Sequence, residues 1–331
     1  MTVYRNTQLG MSAPETYGTA ATVDRLMPYT GDLDIDWAPN DQMSEVVEPG
    51  AVATVGSSYR PTESVTGSYN FEVKSKGFGR LFKGAFGAAT SNLVSGGVYQ
   101  QVHTLNNSTP LNDAHTWQVV RKLMDGTDDA HTFIGMVINS IELSMDNAGV
   151  LKGSVEFIGR TMSTVIAKAS LSAVATNRFT FAGFTIATGT LTEPTSTVLG
   201  SCATSLDGIR SISMKIENGL PDDDFRGNGA GLMSQPSVLQ RKITGSIEAR
   251  NTAQIQALRA TWRSNGTIPI AANFTSGTDV IQIIIAAARL TNPPTPNADG
   301  NLPTVTLQYE GLLGSATQPV WLVVRTSDTT F

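Results

Sequence analysis

The chain has 331 residues, 40% of them hydrophobic and 15% charged, with a formal net charge of −5. That length holds two ordinary domains or one large one. The negative balance excludes non-specific attraction to nucleic acid by the chain as a whole, and the single cysteine, Cys202, excludes an intrachain disulfide and any multi-cysteine metal site.

The charged fraction is low against the usual quarter. Together with 31 glycines it suits β-structure with many turns, and a surface covered by copies of the same chain. The first residues, MTVYRNTQLGMSAPETYG, show no apolar core of a secretion signal, so a soluble protein made inside a cell is expected.

Further along, Tyr69, Phe71 and Val73 alternate with Ser68, Asn70 and Glu72, the pattern of a half-buried strand. Phe78, Leu81, Phe82 and Ala85 then stand at helical spacing, against the cost of Gly77, Gly79 and Gly84 nearby. Residues 88–113 are rich in Gly, Ser and Asn and are expected to form an inserted loop. Alternation returns where Val155 and Phe157 oppose Ser154 and Glu156, and residues 178–201 suggest a hairpin. A second helix is expected over 251–262, with Ile255, Leu258 and Trp262 on one side. The run VIQIIIAAARL, 280–290, is too short for a membrane helix and reads as a buried strand. In the last segment Val305, Leu307 and Tyr309 oppose Thr304, Thr306, Gln308 and Glu310. One-sided alternation of this sort favours antiparallel sheets with one wetter face.

A long-period repeat runs through these elements. VTGS at Val65 matches ITGS at Ile243, 178 residues on, and each precedes a helix-like segment. The turn at Gly126 matches that at Gly277, offset by 151, and SVEFIG ending at Gly159 matches TLQYEG ending at Gly311, offset by 152. Leu33, Ile35 and Trp37 lie in phase with Ile212, Met214 and Ile216, offset by 179. The matches are colinear. They divide the chain into an N-terminal arm (1–30), a first domain (31–165), a connecting segment (166–206) and a second domain (207–331).

Several stretches carry chemistry-bearing residues. GFGRLFKG fails as a nucleotide loop: Lys83 precedes Gly84, Ala85 follows it, and Phe82 takes the third glycine's place. Lys76, Arg80 and Lys83 are therefore expected to be solvated or at an interface. Asp222, Asp223 and Asp224 are consecutive, unlike the alternating ligands of a calcium loop. His103, His115 and His131 have no metal-ligand spacing, and no nucleophile–His–Asp arrangement is readable. Cys202 reads as a small packing residue. No catalytic, cofactor-binding or metal residue is assigned, and no enzyme activity or cofactor is expected.

The chain resembles the tail tube (major tail) proteins of long, non-contractile-tailed bacteriophages, the siphovirus type. The carriers are the opening arm with its E-x-x-Y-G-T-like stretch, Glu15 to Thr19, the passage VTGSYNFEV–GFGRLFKGAFG, and the later passage GIRSISMKIENGL…RKITGSIEAR. The resemblance spans nearly the whole chain. It implies two tandem β-sandwich tube domains, each flanked by a helix, in a structural virion protein. Three chains would make a pseudo-sixfold ring, and stacked rings a hollow tail tube through which DNA passes on ejection. Implied partners are further copies of the chain and the tape-measure, tail tip and tail terminator proteins. DNA would pass without specific binding, and no membrane anchor is expected. Assembly would occur in the host cytoplasm. Polar strand faces carrying Ser68, Asn70 and Glu72, or Glu248 and Arg250, would line the lumen. The arm and residues 88–113 would make ring-to-ring contacts. The competing readings are a type VI secretion-like tube protein, about half this length and without the second copy; another virion shell or decoration protein; an outer-membrane barrel, against which the missing signal peptide and aromatic girdles count; and an enzyme.

Overall fold

A computed structural model describes residues 7–44, 57–106, 113–174, 176–226, 231–297 and 303–329. The protein is mainly β, with two α-helices among the described residues, and every pairing between its named strands is antiparallel. The first half holds β1 (Gln8–Glu15), β2 (Val23–Leu26), β3 (Thr30–Met43), β4 (Ser58–Glu72), α1 (Gly79–Phe86), β5 (Gly87–Ser95), β6 (Val98–Leu105), β7 (Ala114–Lys122), β8 (Asp128–Met145), β9 (Leu151–Gly159) and β10 (Thr161–Ser163). The second holds β11 (Phe184–Thr192), β12 (Ser201–Ser205), β13 (Ile209–Glu217), β14 (Lys242–Arg250), α2 (Ala253–Arg263), β15 (Thr267–Ser276), β16 (Asp279–Leu290), β17 (Pro296–Asn297), β18 (Thr304–Leu312) and β19 (Val320–Thr326).

Alternation builds these strands. In β4, Val65, Tyr69 and Phe71 are buried while Ser68, Asn70 and Glu72 turn to the other face. β8 is too long for one sheet and serves two. Its first part pairs with β7 and β10, and its last part with β9 and β13. The change falls at a bulge beside Asn139, as bulges commonly redirect a strand. The sheet carrying β7 and β1 then faces the sheet carrying β4 and β9: Trp117 lies 5.6 Å from Tyr69 and 5.2 Å from Phe157, ring to ring. The result in the first half is a sandwich closed by α1, whose Leu81, Phe82, Ala85 and Phe86 are fully buried together with Phe78 at its N-cap. Gly84 permits this approach, since a Cβ there would stand 3.1 Å from both His115 and Ile138.

The halves share one sheet. Six residue pairs join β8 to β13, from Ile212↔Met145 to Glu217↔Ser140, so strands run in the order β3, β4, β9, β8, β13, β14, β18. Asn218 clasps this junction from inside: its amide donates to Ala85 O and Ile138 O, and its side-chain oxygen accepts from Arg241. In the second half β16 stops where Asn292-Pro293-Pro294 follows Leu290, and β17 resumes pairing with β18. Proline offers no N–H to a ladder, which accounts for the break.

Two expectations are corrected by these contacts. Residues 88–105, expected as part of a loop, are strand β5 and strand β6, turned at Gly96-Gly97; residues 107–112 lie outside the described residues. β6 also pairs with β19 of the second half and buries Gln100, Gln101, Val102, His103 and Leu105. Arg80, expected in solvent or at an interface, is 7% exposed and bonds Asp24 at 2.5 Å. Residues 7–30 hold β1 and β2, with β1 paired along β7; the expected hairpin range 178–201 contains β11, paired along β15, and reaches only the first residue of its other partner β12.

Candidate functional surface

The continuous sheet has one apolar face in the core and one polar face. Register lines the polar residues into rows, each crossing six of the seven strands. One row runs Asp34, Ser68, Glu156, Ser140, Glu217, Lys242. The next runs Asn70, Ser154, Glu142, Lys215, Thr244, Glu310, and a third Glu72, Lys152, Ser144, Ser213, Ser246, Gln308. Neighbours bond directly: Ser140 donates to Glu156 at 2.7 Å, and the hydroxyls of Ser213 and Ser246 are 3.0 Å apart.

Charge on this face is carboxylate-rich. Lys215 sits 2.9 Å from Glu217, and that hydrogen bond, with the charges of Glu156 and Glu142, holds its pKa above the ordinary lysine value. Lys152 faces Asp146 at 3.6 Å, Arg178 faces Glu72 at 3.2 Å, Arg210 faces Glu248 at 3.4 Å and Arg289 faces Glu310 at 2.7 Å. Six carboxylates in the three rows outnumber Lys152, Lys215 and Lys242, and Arg250 stands exposed on the same face. Such a surface is wet, hydroxylated and repulsive to a polyanion at short range.

The other sequence candidates are packing groups. Lys83 reaches Asp113 at 3.3 Å on the flank of α1, and no loop of backbone N–H groups is gathered there. His103 lies between the rings of Phe82 and Phe86, and burial, helped by Lys83, pushes its pKa down to about 3. Burial pushes His115 down to about 4 against its bond to Ser12 O. His131 stands apart, 3.1 Å from Asp129. Asp224 pairs with Arg226 at 2.9 Å, away from the histidines. Among the described residues no cluster of His, Cys, Asp and Glu could hold a metal ion. Cys202 stands opposite Leu191 and packs against the cluster of Val102, Ala271, Ile284, Trp321 and Val323, and burial pushes its thiol up to about 11.

The family model described as phage tail tube protein matches residues 5–311. The chain belongs to the phage tail tube protein family. As a tail tube protein it is a structural component of the virion's tail and not an enzyme, and the family assembles with copies of itself. No curated protein matches it.

For a tail tube protein the informative feature is the extent of the polar face. The residues singled out from the sequence, Ser68, Asn70 and Glu72, with Glu248 and Arg250, do fall on it. Sequence reading missed Glu142, Ser144, Lys215 and Ser213, which carry the face across the β8–β13 junction. A signal was present: a continuous apolar run from Phe133 to Ile138 passes straight into alternation over Ile141–Met145, longer together than an ordinary strand.

Proposed function

We propose that this tail tube protein serves a long, non-contractile tail, that it carries two tandem copies of one tube domain, and that three chains form a pseudo-sixfold ring. Rings stack into a hollow conduit, with the polar sheet face turned to the lumen. Register supports the duplication. Adding 179 to Ile35 and 178 to its partner Gly67 gives Met214 and Gly245, which are themselves partners. Adding 178 to Ser68 and 152 to its partner Glu156 gives Ser246 and Gln308, again partners. On this reading each copy opens with its own hairpin, β1–β2 or β11–β12, ahead of the domains at 31–165 and 207–331. The shared glycine has a shared reason: a Cβ at Gly67 would strike Phe157, and one at Gly245 would strike Tyr309, its counterpart 152 residues on.

The junction within the chain is a template for the junction between chains. β13 pairs with the last part of β8, residues 140–145. Its counterpart β3 pairs only with β4 among the described residues, and is left as an edge. The counterpart of 140–145, offset by 151, is 291–296. A ring therefore closes by setting β3 of one chain beside 291–296 of the next. Pro293, Pro294 and Pro296 remove ladder donors there, so the seam between chains is the weaker one and the single chain is the building block.

The register agreement carries this reading. The lumen role follows from the carboxylate-rich face: a conduit must not grip DNA, and each fixed phosphate contact would hold it. Tube length would be set by a tape-measure partner, with tip and terminator proteins at the ends. Negative-stain microscopy of the purified protein tests the class: hollow tubes about 100 Å wide are expected for a ring of six domain-sized blocks, and persistent monomers would overturn it.

A further inference from the structure

The turn between β7 and β8 exposes two large apolar side chains. Met124 is completely exposed and Leu123 about half. The turn is firmly built: Leu123 N donates to Thr127 O, Gly126 N to Leu123 O, and Lys122 to Gly126 O, each at 3.0 Å. The Thr127 backbone and hydroxyl both bond Asp125. The corresponding turn of the second half, at Gly277, joins its strands with three fewer residues: Val120 to its partner Ala130 is ten residues, and Phe274 to its partner Ile281 is seven. The extra residues bring Leu123 and Met124, while Gly277 is flanked by Ser276 and Thr278.

A complementary hollow lies elsewhere on the molecule. Leu105, Val238, Leu239, Leu313 and Pro319 line a groove of about 440 Å³ with Arg241 on its wall. Leu239 and Leu313 are more than half exposed. Val238 also packs in a cluster with Ala114, the first residue of β7, whereas the Leu123–Met124 tip follows Lys122, its last. Eight residues of strand at about 3.3 Å each separate the two by roughly 26 Å. A chain cannot fill its own groove.

We propose that the Leu123–Met124 tip of one copy seats in this groove of a second copy in the adjoining ring, with Asp125 toward Arg241. A knob and hollow at opposite ends of one strand make a head-to-tail contact, which repeats without closing and extends a stack. This contact rests on the tube reading above and moves the ring-to-ring role from residues 88–113 and the N-terminal segment to the β7–β8 turn. Met124 is completely exposed, so Met124→Asp leaves the fold intact while opposing burial.

The test uses full-length protein. Met124→Asp is expected to melt with the wild type and to raise the critical concentration for tube formation at least tenfold. Met124→Cys combined with Leu239→Cys, in a Cys202→Ser background, is expected to give a ladder of disulfide-linked chains from oxidised tubes. Tubes of Met124→Asp at the wild-type concentration, or a double-cysteine tube without the ladder, overturn the contact and leave the tube reading standing. A wild-type chain that forms no tubes overturns both.

Discussion

Asn218→Ala probes the junction between the halves most sharply. Asn218 is fully buried, and its side chain makes three hydrogen bonds, at 3.0 Å each, to Ala85 O, Ile138 O and Arg241 Nε. Two of these tie β13 to α1 and β8 of the other half. Alanine removes all three and strands buried carbonyls and part of a guanidinium. At about 1 kcal/mol for each neutral bond and about 2 kcal/mol for the charged one, the loss is about 4 kcal/mol. With an m near 3 kcal/mol/M, the urea midpoint of the unassembled chain should fall by about 1.3 M. Asn218→Asp keeps the acceptor for Arg241 but has no amide donors, so it should also be destabilised. Paired with Arg241→Ala, Asn218→Ala should be non-additive by about 0.5–3 kcal/mol. A loss below about 1 kcal/mol for Asn218→Ala would refute the clasp.

Two further outcomes follow from the charges. His103 and His115 have folded pKa values pushed below the unfolded value, so the unfolded chain binds more protons and stability falls as pH drops below about 6.5, until it nears 4 for His115 and 3 for His103. Each should cost about 2 kcal/mol by pH 5, measured as the urea midpoint at pH 7 and pH 5; a flat profile that His115→Gln leaves unchanged would contradict neutral burial. Glu142→Lys with Glu156→Lys puts cations on the polar face, so variant tubes should retain a fluorescent duplex at about 50 mM salt and release it near 200 mM. Equal, negligible retention by wild-type and variant tubes would argue against a luminal face.

Much of this architecture was legible wherever the signal is local. Alternation located β4, β9, β14 and β18, and helical spacing located α1 and α2, with Thr252 accepting from Ile255 N as the cap of the second. On the proposed duplication the offsets between VTGS and ITGS carry through to ladder partners, and Gly67 and Gly245 each lie against an aromatic ring. What escaped was non-local. β6 buries glutamines and a histidine, and its partner β19 lies more than two hundred residues on, so its composition resembles a loop's. Arg80 is buried on α1 with its guanidinium held by Asp24 of β2 and Met11 O of β1, partners that no periodicity announces. The polar face was visible strand by strand, but its continuity depends on β8 meeting β13 across the connecting segment.

Cryo-electron microscopy of assembled tubes, resolved to side chains, tests the central claim most directly. Three chains per ring, with Glu142, Glu156 and Lys215 facing the lumen and β3 beside 291–296 of the neighbouring chain, is the predicted result. Six chains per ring, or this face turned outward, would contradict it.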